Sequence, residues 1–218
     1  MLKLTGLEVS LGTVQVLRGV SLQVSTGTVA GLVGRNGAGK TTLMRSVMGL
    51  ARAERGAILF DDVDLRSLPA HERARRGIGY MPEDRRLIPE LTVAENILLP
   101  AWAGGAADAG ARLRRIHDLI PEVAHFGARR AVQLSGGQQK LVALARALMC
   151  GTRLLLLDEP FEGVAPALAG RLAEVIGDLK KEGVSVILSE SDLQHSERMV
   201  DRVFAIDRGS VTLKEHNA

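Results

Sequence analysis

The most informative short segment of the chain combines three glycines with a lysine and a threonine. Residues 34–41 read Gly-Arg-Asn-Gly-Ala-Gly-Lys-Thr and match the spacing G-x-x-x-x-G-K-S/T. Such glycines let successive backbone N–H groups turn towards one anion, and a helix that starts after the loop adds partial positive charge. Lys40 can reach a β- or γ-phosphate, and the Thr41 hydroxyl can ligate Mg²⁺. The segment therefore predicts a nucleotide-binding P-loop formed by Gly34, Asn36, Gly37, Ala38, Gly39, Lys40, Thr41 and Thr42.

Two adjacent carboxylates follow an apolar run much later in the chain. Four leucines at 154–157 predict a strand buried on both faces, and Asp158 and Glu159 come directly after it. In doubly wound sheets, ligands bind at the carboxyl ends of the strands. Asp158 is therefore predicted to hold Mg²⁺, directly or through water, and Glu159 to orient or deprotonate an attacking water. Taken alone, this segment also fits a simple strand end followed by a turn.

Alternating strands and helices would position these residues. The first thirty residues alternate apolar and polar side chains between turn residues, which predicts short antiparallel strands. Later buried strands are predicted at 29–33, 78–81, 154–157, 184–188 and 203–206, and helices at 42–50, 69–75, 113–120, 138–149 and 166–181. This order predicts an α/β fold with a mostly parallel core sheet. The interval between 81 and 154 is too long for a simple crossover, so it predicts a helical insertion, with 104–110 as a loose surface link.

Composition excludes several classes of protein. The 218 residues include 28 Lys+Arg and 25 Asp+Glu, and the resulting net charge of +3 is too small to predict a nucleic-acid partner. The hydrophobic fraction of 46% excludes an intrinsically disordered chain. We find no apolar stretch of transmembrane length and no signal peptide, and the single Cys150 excludes an intramolecular disulfide, so we expect a cytoplasmic protein. Arginine clusters at 73–76, 85–86, 112–115 and 129–130 fit either solvated faces or contacts with phosphates, an acidic partner or lipid headgroups.

A third short segment, Leu134-Ser135-Gly136-Gly137-Gln138, lies shortly before the two carboxylates. By itself it fits a polar N-cap to the next helix. In the order P-loop, Leu-Ser-Gly-Gly-Gln, then apolar strand with Asp-Glu, the whole chain resembles the ATP-binding subunits of ABC transporters. The resemblance implies an ATPase with a P-loop NTPase fold: one domain, 1–218, with an amino-terminal antiparallel β subdomain and an inserted α-helical subdomain at 84–150. It also implies a head-to-tail dimer in which Ser135, Gly136, Gly137 and Gln138 of one subunit complete the ATP site of the other.

Three further segments resemble the smaller ATPase of branched-chain amino-acid importers and their amide and urea relatives. These segments are residues 80–86, 91–96 and 161–166. Within them Glu83 occupies the loop position that, in the family, senses Mg²⁺ and contacts the permease; most relatives have glutamine there. The implied partners are an identical or sister ATPase subunit, membrane permease subunits and, indirectly, an extracytoplasmic solute-binding protein. The implied location is the inner face of the cell membrane.

Two positions depart from the family's pattern. Leu11 stands where an aromatic residue usually stacks on adenine, and leucine lacks a π-face, so we expect weaker adenine binding. Ser191, which we predict as a catalytic residue with Lys40 and Glu159, stands where a histidine usually contacts the γ-phosphate; it would need a bridging water. His195, one helical turn later, is interpreted as a surface helix residue. We expect an ATP-hydrolysing importer subunit, and these departures motivate one alternative, a nucleotide-binding module of low ATPase activity that pairs with a catalytic sister subunit.

Two other questions remain open in the sequence. A P-loop ATPase of chromosome maintenance or translation is disfavoured, because the helical insertion is short and no long coiled-coil segment is present. Residues 98–103, Leu-Leu-Pro-Ala-Trp-Ala, fit either a permease contact or the core of the insertion; we favour core for the leucines and leave Trp102 unassigned.

Overall fold

The computed structural model describes residues 1–214, which form two sheets surrounded by helices. The strands are β1 (Leu2–Leu11), β2 (Val14–Val24), β3 (Val29–Val33), β4 (Arg55–Phe60), β5 (Val63–Asp64), β6 (Ile78–Met81), β7 (Leu154–Asp158), β8 (Ser185–Glu190), β9 (Arg202–Asp207) and β10 (Ser210–Lys214). The α-helices are α1 (Lys40–Met48), α2 (Ala70–Arg75), α3 (Val93–Gly104), α4 (Ala109–Leu119), α5 (Pro121–His125), α6 (Gly136–Cys150) and α7 (Pro166–Lys181).

The core sheet has the strand order β10-β9-β3-β8-β7-β6. Every neighbouring pair is parallel except β10 with β9, so the predicted mostly parallel sheet is confirmed. Strands β3, β7 and β8 are buried along almost their whole length, as expected for strands covered by helices on both faces. Their parallel arrangement brings the carboxyl ends of β3, β6, β7 and β8 to one edge of the sheet.

The amino-terminal strands form a separate antiparallel sheet in the order β2-β1-β4-β5. The predicted antiparallel pairing of the first two strands is confirmed, with register shifts along β1. Strands β4 and β5, which the alternation pattern did not predict, extend this sheet on the other side of β1. The sheet buries one face through residues such as Leu2, Leu4, Val20 and Phe60, which share a hydrophobic cluster with α1 and one face of the core sheet.

Helices α3 to α6 lie between β6 and β7, which confirms a helical insertion; its bounds of 84–150 stay a prediction. The sequence analysis missed α3, whose start is fixed by a capping box between Thr92 and Glu95. The predicted link at 104–110 is present but shorter, because only Gly105 to Asp108 separate α3 from α4. Leu98 packs against the hydrophobic core, whereas Trp102 is 56% exposed. Within residues 1–214 no helix is both long and apolar enough to cross a membrane.

Candidate nucleotide-binding site

The P-loop joins β3 to α1, and glycines make its path possible. Gly37 and Gly39 have φ angles of 81° and 114°, which side chains rarely adopt. A Cβ atom at Gly34 would lie 2.2 Å from the carbonyl oxygen of Ile206 on β9. Gly39 is the N-cap of α1 and offers no side-chain cap, so the first N–H groups of this helix are free of a capping side chain. The loop therefore has the geometry of an anion-binding helix N-terminus.

Lys40 connects the P-loop with the carboxylate loop after β7. Its side chain is buried, and Nζ donates hydrogen bonds to the carbonyl oxygens of Gly34 and Arg35 at 2.5 and 3.4 Å. The same Nζ lies 3.0 Å from Glu159 Oε1. This ion pair lacks hydrogen-bond geometry, and Oε1 of Glu159 accepts no hydrogen bond from the described residues although it is buried. The lysine and the carboxylate thus converge on one point beside the P-loop.

Asp158 is fully buried and accepts hydrogen bonds from three hydroxyl groups. Thr41 Oγ1 and Ser189 Oγ donate to Oδ1 at 3.2 and 2.7 Å, and the Tyr80 hydroxyl donates to Oδ2 at 3.2 Å. Burial, followed by the negative charge of Asp158, raises the pKa of Tyr80, so its hydroxyl stays protonated and remains a donor at neutral pH.

The pair Thr41 and Asp158 fits Mg²⁺, which prefers oxygen ligands. Within residues 1–214 no three His, Cys, Asp or Glu side chains are grouped so that they could hold a metal ion by themselves. Mg²⁺ at this position would therefore take its remaining ligands from phosphate and water, as it commonly does in nucleotide-binding sites.

Glu159 follows Asp158 in a left-handed conformation, with a φ of 48°. Its backbone N–H donates to Ser189 Oγ at 3.0 Å, and Ser189 in turn donates to Asp158. Only 8% of the residue is exposed. One serine hydroxyl on β8 thereby fixes both carboxylate residues at the end of β7.

A cleft of about 430 Å³ lies against the P-loop, a volume within the range of small-molecule sites. Its lining contains nine of the predicted site residues, namely Leu11, Asn36, Gly37, Gly39, Lys40, Thr41, Thr42, Glu83 and Glu159. Leu11 is 48% exposed and forms an aliphatic patch with Val16 at one side of this cleft. The pKa of Glu83 is raised, first by burial and then by the charges of Glu162, Asp158 and Glu159.

The other predicted residues lie outside the cleft lining. Gly34 and Ala38 belong to the P-loop backbone, and Ser191 donates from Oγ to Asn36 Oδ1 at 3.3 Å. His195 is exposed, as predicted, but it lies in a run of turns rather than a helix, and its ring centroid is 5.7 Å from that of Phe161.

The Leu-Ser-Gly-Gly-Gln segment forms the amino terminus of α6. Ser135 is its N-cap, and Ser135 and Gln138 form a reciprocal capping box, so the N-cap interpretation agrees with the structure. Ser135 and Gly136 are exposed, and Gly137 and Gln138 are partly exposed. None of the four belongs to the residues that line the P-loop cleft in the described part of the chain.

Several residues of the site were missed by sequence reasoning. Val16 and Arg35 line the cleft, Tyr80 and Ser189 hold Asp158, and Lys140 binds the loop after Glu159. Ser189 had a detectable signal, since it is a polar residue at the end of the apolar run 186–188. Lys140 gave no signal in the sequence, because a lysine in the first turns of a helix ordinarily faces solvent.

The family model for ABC transporters matches residues 17–162. The chain belongs to the ABC transporter family. It is an ATP-binding subunit and an ATPase, as the resemblance implied. ATPase domains of this family dimerise and work with membrane permease subunits.

Relatives in this family differ in what they transport. The chain is 34% identical, over 100% of its length and 94% of the relative, to a high-affinity branched-chain amino acid transport ATP-binding protein, BraG, of Pseudomonas aeruginosa. It is 35% identical, over 90% of its length and 83% of the relative, to a lipopolysaccharide export system ATP-binding protein, LptB, of Haemophilus influenzae. The LptB of Escherichia coli is 34% identical over 89% of this chain and 82% of the relative.

Solved ABC cassettes share the fold. The ADP conformation of MJ1267, an ATP-binding cassette of an ABC transporter, superposes with a TM-score of 0.86 and 28% identity, over 97% of this chain and 89% of that one. The dimeric structure of MJ0796, a bacterial ABC transporter cassette, gives a TM-score of 0.88 and 25% identity over 100% of both chains. The predicted P-loop NTPase fold, with its antiparallel sheet and helical insertion, is therefore confirmed.

Proposed function

We propose that this ABC ATPase powers an importer of branched-chain amino acids or related small polar solutes. The observation that carries the proposal is the relationship to BraG over the whole chain, together with Glu83 and its neighbours. An exporter function of the LptB kind is the second candidate, because those relatives have similar identity. The solute itself would be selected by permease and binding-protein subunits.

Within the site, Glu159 would orient or deprotonate the attacking water. Its buried Oε1 accepts no hydrogen bond from residues 1–214, and it would accept one from a water molecule once a phosphate draws Lys40 Nζ away from it. Lys40 would neutralise charge on the transferred phosphoryl group, and the backbone N–H groups of the P-loop would hold the phosphates. Both groups lie beside the P-loop, where Lys40 Nζ is 3.0 Å from Glu159 Oε1.

Thr41 and Asp158 would hold Mg²⁺, which when bound neutralises phosphate charge, and Glu83 would act at the same ion from the cleft wall. Leu11 and Val16 would pack against adenine. Asn36 would keep the Ser191 hydroxyl near the P-loop through their 3.3 Å hydrogen bond, so Ser191 would act on phosphate through water.

Two subunits, either identical chains or this chain with a sister, would form two composite ATP sites. The exposed turn at 135–138 would close over the partner's P-loop cleft with its hydroxyl and helix N-terminus. A permease helix would dock in a groove of about 300 Å³ next to the loop that carries Glu83. The lining of this groove includes Met48, Leu50, Pro82 and Pro100. This contact would hold the subunit at the inner face of the membrane.

The hydrolytic role is tested with Glu159→Gln. We expect kcat to fall about 10²- to 10⁴-fold, because the general base is lost, while the Kd for Mg-ATP changes less than about threefold. Phosphate release and equilibrium ATP binding are the two measurements. A normal rate in the variant would remove Glu159 from the mechanism. A low rate in the unmodified chain that rises only with a sister subunit would favour the alternative of a weakly active partner, which Leu11 and Ser191 support.

The transport role is tested by reconstituting the chain with the permease subunits of its own transporter. In vesicles containing the cognate binding protein, leucine, isoleucine or valine should stimulate phosphate release and accumulate inside. Amides and urea form the second panel, and lipopolysaccharide the exporter control. Stimulation by lipopolysaccharide alone would overturn the importer assignment without affecting the ATPase.

A further inference from the structure

Lys140 is a buried lysine in the second turn of α6, far along the chain from the P-loop. Only 6% of the residue is exposed. Its Nζ donates to the carbonyl oxygens of Glu159 at 2.9 Å, Pro160 at 3.1 Å and Glu162. An ammonium group has three N–H donors, so these carbonyls use all of them. Lys140 thus binds the backbone of the loop that follows β7.

One of the three carbonyls that Lys140 binds belongs to Glu159, the residue with the least favourable backbone conformation in this loop. Glu159 is a non-glycine residue with a φ of 48°, and such a conformation persists only where the surroundings enforce it. The Ser189 hydroxyl accepts a hydrogen bond from the Glu159 N–H, and the Lys140 ammonium donates one to the Glu159 carbonyl. Because both peptide groups that flank its Cα are held, the direction of its side chain towards Lys40 is held as well.

We propose that Lys140 is a positioning residue that keeps the Glu159 carboxylate aimed at the P-loop. The proposal rests on the hydrolytic role proposed for Glu159. Its basis is the three carbonyl contacts, the burial of the ammonium and the left-handed backbone of Glu159. Since Ser135 caps the same helix one turn earlier, the helix that carries the Ser-Gly-Gly turn also fixes the carboxylate of its own chain.

A packing role alone would need only the aliphatic part of the lysine. Burial lowers the pKa of the Lys140 ammonium, and the nearby Glu162, Glu159 and Glu83 charges oppose this shift. Burying an ammonium is costly, so its three carbonyl contacts are needed to compensate. Methionine would fill a similar volume, but it would remove the ammonium donor from all three carbonyls. The Glu159 carbonyl would keep only its 3.3 Å hydrogen bond from the Glu162 N–H, and the loop could then relax away from the P-loop.

The first test is Lys140→Met, with Lys181→Met as the matched control. Lys181 is exposed on α7 and contacts only Asp178 among the described residues. We expect Lys140→Met to lower kcat about 10²-fold, the effect of a small misplacement of a catalytic group, with less than a threefold change in the Kd for Mg-ATP. Lys140→Arg, which keeps charged donors, should recover part of the rate, and Lys181→Met should match the unmodified chain. An unchanged kcat in Lys140→Met would overturn the proposal.

The second test separates positioning from general damage. If Lys140 acts through Glu159, Lys140→Met should lower the residual rate of Glu159→Gln by less than about twofold, because the group it positions is already lost. A further loss of about 10²-fold in the double variant would overturn the proposal. If Glu159→Gln itself keeps the normal rate, the proposed role of Glu159 fails as well, and that outcome is visible in the single variant. Should Lys140→Met fail to fold, Lys140→Gln, which keeps one amide donor, carries both tests with an expected loss of about tenfold.

Discussion

The P-loop and the Ser-Gly-Gly turn both lie at the amino-terminal end of a helix, but the two ends are built differently. At α1 the N-cap is Gly39, which offers no capping side chain, and Lys40 beside it is buried against Glu159. At α6 the N-cap Ser135 already accepts a hydrogen bond from the Gln138 N–H and is exposed. The first N–H groups of α1 therefore have no capping side chain, whereas the start of α6 is capped by a side chain of its own helix.

This difference indicates which half of a composite site is preorganised. In the P-loop half the first backbone N–H groups of α1 have no side-chain cap to displace, and only the Lys40 side chain would have to exchange its contacts with Gly34, Arg35 and Glu159 for a phosphate. In the proposed dimer, the turn at 135–138 would have to exchange its internal capping bond for a contact with the other subunit. We therefore expect ATP binding to depend on the first half and hydrolysis to depend on both.

The largest expected effect comes from combining two defective subunits. Lys40→Ala removes the P-loop cation and Ser135→Ala removes the signature hydroxyl, and each should lower kcat at least about tenfold by itself. If the halves come from different chains, a mixture of the two variants contains dimers with one intact composite site. Phosphate release by the mixture should then exceed that of either variant. A rate equal to the average of the two would contradict a shared site between identical chains.

A smaller effect is expected from adding one methyl group to each half. Gly34→Ala would place a Cβ 2.2 Å from a backbone carbonyl, so it should lower the free energy of unfolding by about 1–3 kcal/mol. In Gly136→Ala the new Cβ would lie 3.3 Å from the flexible end of the Arg85 side chain, and alanine is a better helix former than glycine. The free energy of unfolding should therefore change by less than about 1 kcal/mol. Denaturant unfolding measures both. Equal losses would show that the two helix ends are packed alike.

Glu190 ends β8, and its carbonyl oxygen accepts a hydrogen bond from the Gly34 N–H at 3.2 Å, so the pH dependence of stability probes the P-loop half further. Burial raises the pKa of Glu190 from 4.5 to about 7, the charges of Glu159 and Asp192 add to the shift, and the Ser196 hydrogen bond opposes it. Between pH 4.5 and about pH 7 the folded state binds the Glu190 proton more tightly than the unfolded state does. The free energy of unfolding therefore falls as pH rises from 4.5 to about 7. The unmodified chain should lose about 2 kcal/mol more than Glu190→Gln between pH 5 and pH 8. Parallel pH profiles of the two proteins would show that Glu190 does not titrate in this window.

The smallest expected effect concerns the aliphatic edge of the cleft. Leu11→Tyr supplies a π-face beside Val16, and aromatic stacking adds about 0.5–1.5 kcal/mol beyond area burial. The Kd for ATP should therefore fall about 2- to 10-fold, while the Kd for inorganic triphosphate stays constant. A change in both constants would mean that the substitution acts on the P-loop rather than on adenine.

Much of the site could be predicted from the sequence because its key residues are local. The glycine spacing of the P-loop, the apolar run before Asp158 and the cap at Ser135 each depend on neighbours within a few residues. The burial of β3, β7 and β8 could likewise be predicted from continuous apolar runs. Helix α3 was missed because its apolar residues surround Pro100 without a clear stripe. Strands β4 and β5 were missed because β4 depends on pairing with β1, and β5 depends on pairing with β4.

By itself, the sequence determined that the chain has a glycine-rich loop with P-loop spacing, two carboxylates at a strand end and a capped Ser-Gly-Gly helix start. Tertiary structure alone decided that Ser189 holds Asp158 and Glu159, that Val16 and Arg35 line the cleft, and that Lys140 binds the loop after β7. The physical reason is range. Periodicity and capping act between residues close in the chain, whereas these contacts join residues brought together only by the strand order of the sheet and the packing of α6 against it.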